Sequence, residues 1–162
     1  MPLHSFQADF AAVQTDVQNI QTSVAKLYQS LLNTQGTSYS EALAIDSASK
    51  SLNKDINTAN SDAQAVSSVT DAQAQSLLTI LSNTYPNVSA ASQRLIALQP
   101  AFKKLGVAGI AKNDVNQLAS STQTFGATLV SKAPADLQAS ASSLAGQYNA
   151  ALASAAAAYA SS

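Results

Sequence analysis

The sequence predicts an all-α protein: a five-helix up-and-down bundle around a central apolar cavity or tunnel, with its third helix kinked by proline. Three observations carry this expectation. Apolar residues recur at steps of three and four along almost the whole 162-residue chain. No alternating strand pattern of useful length appears. The breaks in the helical rhythm are short, which suits consecutive helices lying side by side and antiparallel in a single domain, residues 1–162.

The first helix is expected over about residues 3–33. Leu3, Phe6, Phe10, Val13, Val17, Ile20, Val24, Leu27 and Leu31 form its stripe, and the break Asn33–Thr37, containing Gly36, ends it. The second is expected over residues 38–67, with Ser38 as N-cap and Glu41 completing a capping box. Its stripe (Ile45, Ser49, Leu52, Ile56, Ala59, Ala63, Val66) is thin, and Ser49 puts a hydroxyl where a large apolar group is expected.

Thr70 caps the third helix and Asp71 falls in its first turn, where the helix dipole favours an anion. The rhythm Ala74, Leu77, Leu81, Thr84, Val88, Ala91, Leu95, Leu98, Phe102, Leu105 runs straight through Pro86 and Pro100. One kinked helix over 70–104 fits that continuity. Two helices split at Tyr85-Pro86 is the competing reading, because a residue before proline disfavours helix. Gly106–Gly109 reads as a turn, and a fourth helix follows over roughly 111–131. Pro134 stands near the first turn of the fifth, whose stripe is Leu137, Ala141, Leu144, Tyr148, Leu152, Ala155 and Tyr159.

Composition removes several function classes. Only 10% of residues are charged, against roughly 25% in an average soluble domain, and the net charge is −1. Nucleic-acid binding requires clustered cations, so no nucleic-acid partner is expected. Cysteine is absent and His4 is the single histidine, which argues against a metal site. Asp9 and Asp16 share a helix face without the glycine-punctuated loop of a calcium site. No G-x-S-x-G motif accompanies the many serines, and the nine acidic residues sit mostly at helix starts or on polar faces, so no catalytic residue and no cofactor is assigned. No apolar run reaches the roughly 18 residues of a membrane span. The opening MPLHSFQADF lacks a basic start followed by an apolar core; an exported form is expected to have lost its signal. Asn87-Val88-Ser89 fits the N-glycosylation pattern.

What remains distinctive is a long interior almost free of charge. Either alanine-rich faces pack closely and leave no space, or large side chains hold the helices apart around a cleft for an apolar ligand. The apolar lining of such a cleft is expected from Phe10, Leu27 and Leu31 on the first helix and from Leu52 and Ile56 on the second. The third would add Leu77, Leu81, Leu95 and Phe102, the fourth Leu118, Phe125 and Leu129, and the fifth Tyr148 and Leu152. Ser49 and Thr122 are the polar candidates: each hydroxyl either bonds to the carbonyl one turn back or meets a ligand carboxylate or bound water. Gly126, close behind Thr122, either permits close helix contact or opens room beside an acyl chain.

Several stretches resemble the fungal cell-wall galactomannoprotein domain, also called the hydrophobic surface-binding protein A family. They are F-x-x-x-F-x-x-V-x-x-D-V-x-x-I from Phe6 to Ile20, Thr70-Asp71, RLIALQPAFKKLG from Arg94 to Gly106, and LVSKAPADLQASASSLAGQYNAAL from Leu129 to Leu152. Their order and spacing span nearly the whole chain. The resemblance implies an exported fungal protein, often mannosylated, of the wall or medium, with antigens and virulence factors among its kin. It implies a helical bundle that holds fatty acids such as arachidonic or palmitic acid, without enzymatic activity. It also implies the alternative of an amphipathic protein that adsorbs to hydrophobic surfaces and recruits other secreted proteins. Without a Ser/Thr-rich stalk or lipid-anchor tail, this chain is expected to be an excised domain or a soluble member.

Overall fold

The computed structural model describes the backbone of residues 2–162 and the side chains of residues 9–162. Leu3, His4 and Phe6 therefore lie outside the described side chains. Five long helices account for the chain: α1 (Pro2–Leu32), α2 (Tyr39–Ala65), α3 (Asp71–Leu105), α4 (Ala108–Lys132) and α5 (Gln138–Ala158), with a short 3-10 turn at Ala135–Leu137. No strand occurs among the described residues. The described stripe residues of α1, from Phe10 through Leu31, are all buried.

The ends of the helices follow local chemistry. Ser38 caps α2 by accepting from the Glu41 amide at 3.2 Å. The expected capping box there is only half formed. The Glu41 carboxylate instead accepts from the Thr34 hydroxyl at 2.9 Å, and Thr34 in turn accepts from the Gly36 amide at 3.0 Å. Gly36 takes φ 79°, and a Cβ there would stand 2.7 Å from that of Ala101, so the turn needs glycine for both backbone and space. A full capping box forms instead at Thr70, which exchanges bonds with Gln73. Gly106, at φ 86°, closes α3 as a left-handed cap.

α3 is one helix through both prolines, not two. Pro86 and Pro100 lie on its exposed face, as do Ser82 and Ile96, whose carbonyls each proline deprives of a partner. Water can serve those carbonyls, so the lost bonds leave nothing orphaned in the core. Two expected boundaries shift. Gly109 lies in the first turn of α4, which begins at Ala108 rather than near 111. Pro134 precedes the 3-10 turn, and α5 starts only at Gln138.

Chain direction alternates from helix to helix, but spatial order does not follow chain order. Each helix packs mainly on two others, closing a ring α1–α2–α4–α5–α3. The antiparallel neighbours expected from short loops are found for α1/α2 and α4/α5. The other three seams are parallel, as cross-helix bonds show. Gln14 pairs with Ser76 and Arg94 with Leu31 between α1 and α3. Ser121 pairs with Asn53 and Thr128 with Asn60 between α4 and α2. Tyr148 donates to the Leu81 carbonyl and Tyr159 to that of Leu95 between α5 and α3. With neighbouring axes roughly 9 Å apart, five axes on a ring stand about 8 Å from its centre, against about 6 Å for four. The middle of this bundle therefore needs long side chains to fill it.

Two seams carry facing carboxyls. Asp46 and Asp114 meet across α2/α4, and each has one buried oxygen with no other hydrogen-bond partner. Asp16 and Asp62 meet across α1/α2, beside Asp55. Like charges this close share a proton. Burial, then the bond to Asp46 and its charge, push the Asp114 carboxyl up from 3.8 to about 8. Burial and Asp62 push Asp16 up to about 7. Asp46 is held low by its bond from Asp114 and by Lys50, 3.0 Å away.

A carboxyl that keeps its proton in the fold but ionises when unfolded stabilises the fold fully below its unfolded value. That contribution is lost as pH rises to the folded value. Thermal stability should therefore fall between pH 4 and 8. Asp114→Asn, which can still donate to Asp46, should flatten that fall and exceed the parent at pH 8 by on the order of 2 kcal/mol. Melting curves across the interval check it; parallel curves for the two proteins would remove Asp114 as the titrating group.

Candidate ligand-binding site

The ring is not filled evenly. An apolar void of about 60 Å³ lies where all five helices meet, walled most heavily by α4 and α5. α1 contributes Ile20, α2 Ile56, and α3 Leu78 and Leu81. α4 contributes Thr122, Phe125, Gly126 and Leu129, and α5 contributes Ala141, Leu144, Ala145 and Tyr148. The cause is local sequence. At this level α4 and α5 offer glycine and two alanines toward the centre, side chains too short to cross the added radius of a five-membered ring. A Cβ on Gly126 would come within 3.1 Å of that of Ala145, so the missing side chain brings the two helices close.

Six of the residues expected from sequence meet at this void: Ile56, Leu81, Thr122, Phe125, Leu129 and Tyr148. The others lie elsewhere in the core. Phe10, Leu27, Leu31, Leu52, Leu95, Leu118, Leu152 and Ser49 are buried but do not line it. Phe102 lines a narrow cleft near the α1–α2 turn, and Leu77 a smaller void described below. Ser49 sits two turns of α2 away from Ile56. Sequence reasoning assigned Ile20 and Leu144 to stripes without singling them out. It placed Ala141 in the α5 stripe without assigning it to the lining, and it passed over Leu78, one residue off the α3 stripe, and the small Ala145. Two alanines leave space rather than occupy it, and only the neighbouring helix shows whether that space is taken.

Two polar groups qualify the site. The Tyr148 hydroxyl is committed to the Leu81 carbonyl at 2.5 Å, and burial pushes its pKa well above the usual phenol value. Its ring, tilted against Tyr85 at 5.4 Å, is what faces the void. Thr124 and Thr128 bond back to the carbonyls of Ser120 and Thr124. Among the described residues no such bond serves Thr122, which lines the void.

A second void of about 30 Å³ continues from the first toward the end of the bundle that holds the α2–α3 and α4–α5 connections. The two share Leu78, Leu81, Leu129 and Ala141, and the second is completed by residues including Val69, Leu77, Lys132 and Ala133. Asn87 is partly exposed in the middle of α3. The described residues hold no group of three or more metal-ligating side chains, and no described helix is long and apolar enough to cross a membrane.

Fold and site together define a five-helix bundle with an apolar void between its helices. The profile of the hydrophobic surface binding protein A family matches residues 10–131, and the chain belongs to that family. Its structure is similar to that of Afmp4p in complex with palmitic acid, with 27% identity, a TM-score of 0.87, and coverage of 93% of this chain and 99% of that one. It also shares the fold of ligand-binding domain 2 of the Penicillium marneffei MP1 protein, complexed with multiple arachidonic acids (19% identity, TM-score 0.86, 94% and 96% covered). Domain 1 of the same protein, complexed with arachidonic acids, is again similar in fold (16%, TM-score 0.86, 93% and 98%). No curated protein matches the chain.

Proposed function

We propose that this protein binds and sequesters long-chain fatty acids such as palmitic or arachidonic acid between its helices, without catalysis, as an exported cell-wall or secreted mannoprotein. The observation that carries the reading is the apolar void lined by all five helices, in a fold whose similar structures hold these lipids. Each methylene moved from water into that interior contributes about 0.8 kcal/mol. A chain of ten or more would exceed the cost of association.

The void is far smaller than the roughly 300–1,000 Å³ of a small-molecule site, so the ring widens to admit a chain. The seams differ in what resists this. Hydrogen bonds along their length tie α1 to α2 (Ser23 to Asp55), α1 to α3, α2 to α4 and α3 to α5. Between α4 and α5, the described side-chain bonds lie only at the ends. Lys112 donates to the carbonyls of Ala160 and Ser162, and Gln138 to that of Ala133. In the middle of that seam Gly126 packs closely against Ala145. Parting α4 from α5 breaks no side-chain bond there and makes room beside the residues that already line the void.

A second reading is that the protein adsorbs to hydrophobic surfaces and recruits other secreted proteins. The exposed Tyr39, Leu43 and Ile110 favour it. Leu43 and Ile110 border one shallow cleft, and Tyr39 stands one turn before Leu43.

Native mass spectrometry of delipidated protein with palmitate and with arachidonate should show saturable complexes at low-micromolar lipid. Adsorption to an apolar polymer with no such complex would favour the second reading. The route is tested by the double variant Gly126→Cys/Ala145→Cys, whose Cβ atoms would stand 3.1 Å apart, so a small easing of the seam reaches the roughly 3.5–4.5 Å of a disulfide. Oxidised, it should take up lipid at least about tenfold more slowly, as if about 1.4 kcal/mol were added to the barrier. Reduction should restore the parent rate. Unchanged uptake in the oxidised protein would place the opening at another seam.

A further inference from the structure

The two voids share one face of α4. Thr122, Phe125, Leu129 and Lys132 follow at steps of three and four, with Gly126 one turn after Thr122, and they line the space in that order. The stretch covers about 15 Å along the helix. It begins at a hydroxyl and ends at an ammonium. Of the chain's eight basic residues, Lys132 lines the second apolar void. Arg94 is occupied with the Leu31 and Thr34 carbonyls. Lys50 and Lys54 border a polar surface groove, and Lys26 another.

Lys132 is held in place from the far side. Its Nζ donates to the Gln64 carbonyl at 3.1 Å and to that of Val66 at 2.6 Å, the last carbonyls of α2 and its cap. An ammonium has three donors, and these contacts use two. The third is left for a ligand without undoing the bonds to α2. Stem and head suit the position too, since the methylenes lie along apolar surface and the charge stays at the rim. Asp71 and Asp136 face each other near the same end, and the bond to Asp136 raises the Asp71 carboxyl above its ordinary value.

We infer that Lys132 is the anchor for the carboxylate of a bound fatty acid, with the acyl chain running inward along α4 toward Thr122 and Tyr148. The inference rests on the fatty-acid reading above and adds its orientation: head group at the end of the bundle, tail at its centre. Thr122 then meets the tail rather than the head. A carboxylate at Lys132 gains a charge-assisted bond at a partly exposed rim. At Thr122 it would meet one neutral hydroxyl and no charge.

The test compares palmitate with 1-hexadecanol, which has the same chain length and no charge, by calorimetric titration. Lys132→Met keeps a long apolar stem and loses the charge. It should weaken palmitate about tenfold and leave hexadecanol within about twofold, whereas Lys132→Arg should retain palmitate. Thr122→Val should change palmitate and hexadecanol to the same extent, because that residue meets the tail. Because Lys132→Met also loses the two bonds to α2, its melting temperature is recorded alongside. A second readout uses the unaltered protein. The carboxyl of palmitate labelled at C1 with ¹³C should titrate lower when bound than when bound to Lys132→Met. Equal loss of both lipids in Lys132→Met would mean a structural role and overturn the assignment. So would unchanged palmitate affinity, or a loss confined to Thr122→Val. If the parent binds neither lipid, the fatty-acid reading itself fails and this orientation with it. If the parent binds both and Lys132→Met retains palmitate, only the orientation fails.

Discussion

Tyr148 and Tyr159 tie the fifth helix to the third by donating to carbonyls deep in the bundle, and the shape of the interior depends on that attachment. A helical carbonyl has a second lone pair, so it can accept from a phenol without giving up its place in the helix. The two tyrosines are three turns apart on one side of α5. They fix the orientation of a helix that is rich in alanine and has little amphipathic character of its own. Once α5 is turned this way, Ala141 and Ala145 face inward beside Gly126, and the centre of the ring is left underfilled at that level.

The other seams show how a chain with so little charge sets its register. Along α2/α4, three polar pairs recur every seven residues: Asp46 with Asp114, Asn53 with Ser121, and Asn60 with Thr128. The repeat matches the heptad spacing of helices wound side by side. Short polar side chains can meet within such a seam at low entropic cost, and a buried donor left without its acceptor costs more than the pair contributes. The pairing therefore acts chiefly against slippage. Arg94 does similar work at the α1–α2 turn, where it gathers the last carbonyl groups of α1 and holds Thr34 and Gly36 against α3.

Density and weakness are consequently separated in space. Four seams carry side-chain hydrogen bonds along their middles, while the described bonds of the fifth lie at its ends and Gly126 packs on Ala145 between them. A bundle built this way can open locally and still keep its register, because the parting surfaces hold no polar group that would be stranded. A carrier of an apolar chain needs that combination: the interior must exclude water when empty and accept a long ligand when it arrives.

The α1 stripe, the capped start of α3, the continuity of α3 through two prolines and the in-register Tyr159 were all legible in the sequence. Each is a property of one helix, and spacing along the chain fixes which side chains share a face. Six of the expected lining residues come together for the same reason. The ring order, the three parallel seams and the position of the void were not legible. A stripe shows that Leu27 and Phe125 both point inward, but it does not say which helix each will meet. Gly126 and the alanines of α5 leave a space only because α4 and α5 became neighbours, and Lys132 reaches an apolar void only because α4 ends beside α2. Periodicity is a local consequence of backbone geometry. Adjacency is settled by how five faces share one core, and only the assembled structure contains that information.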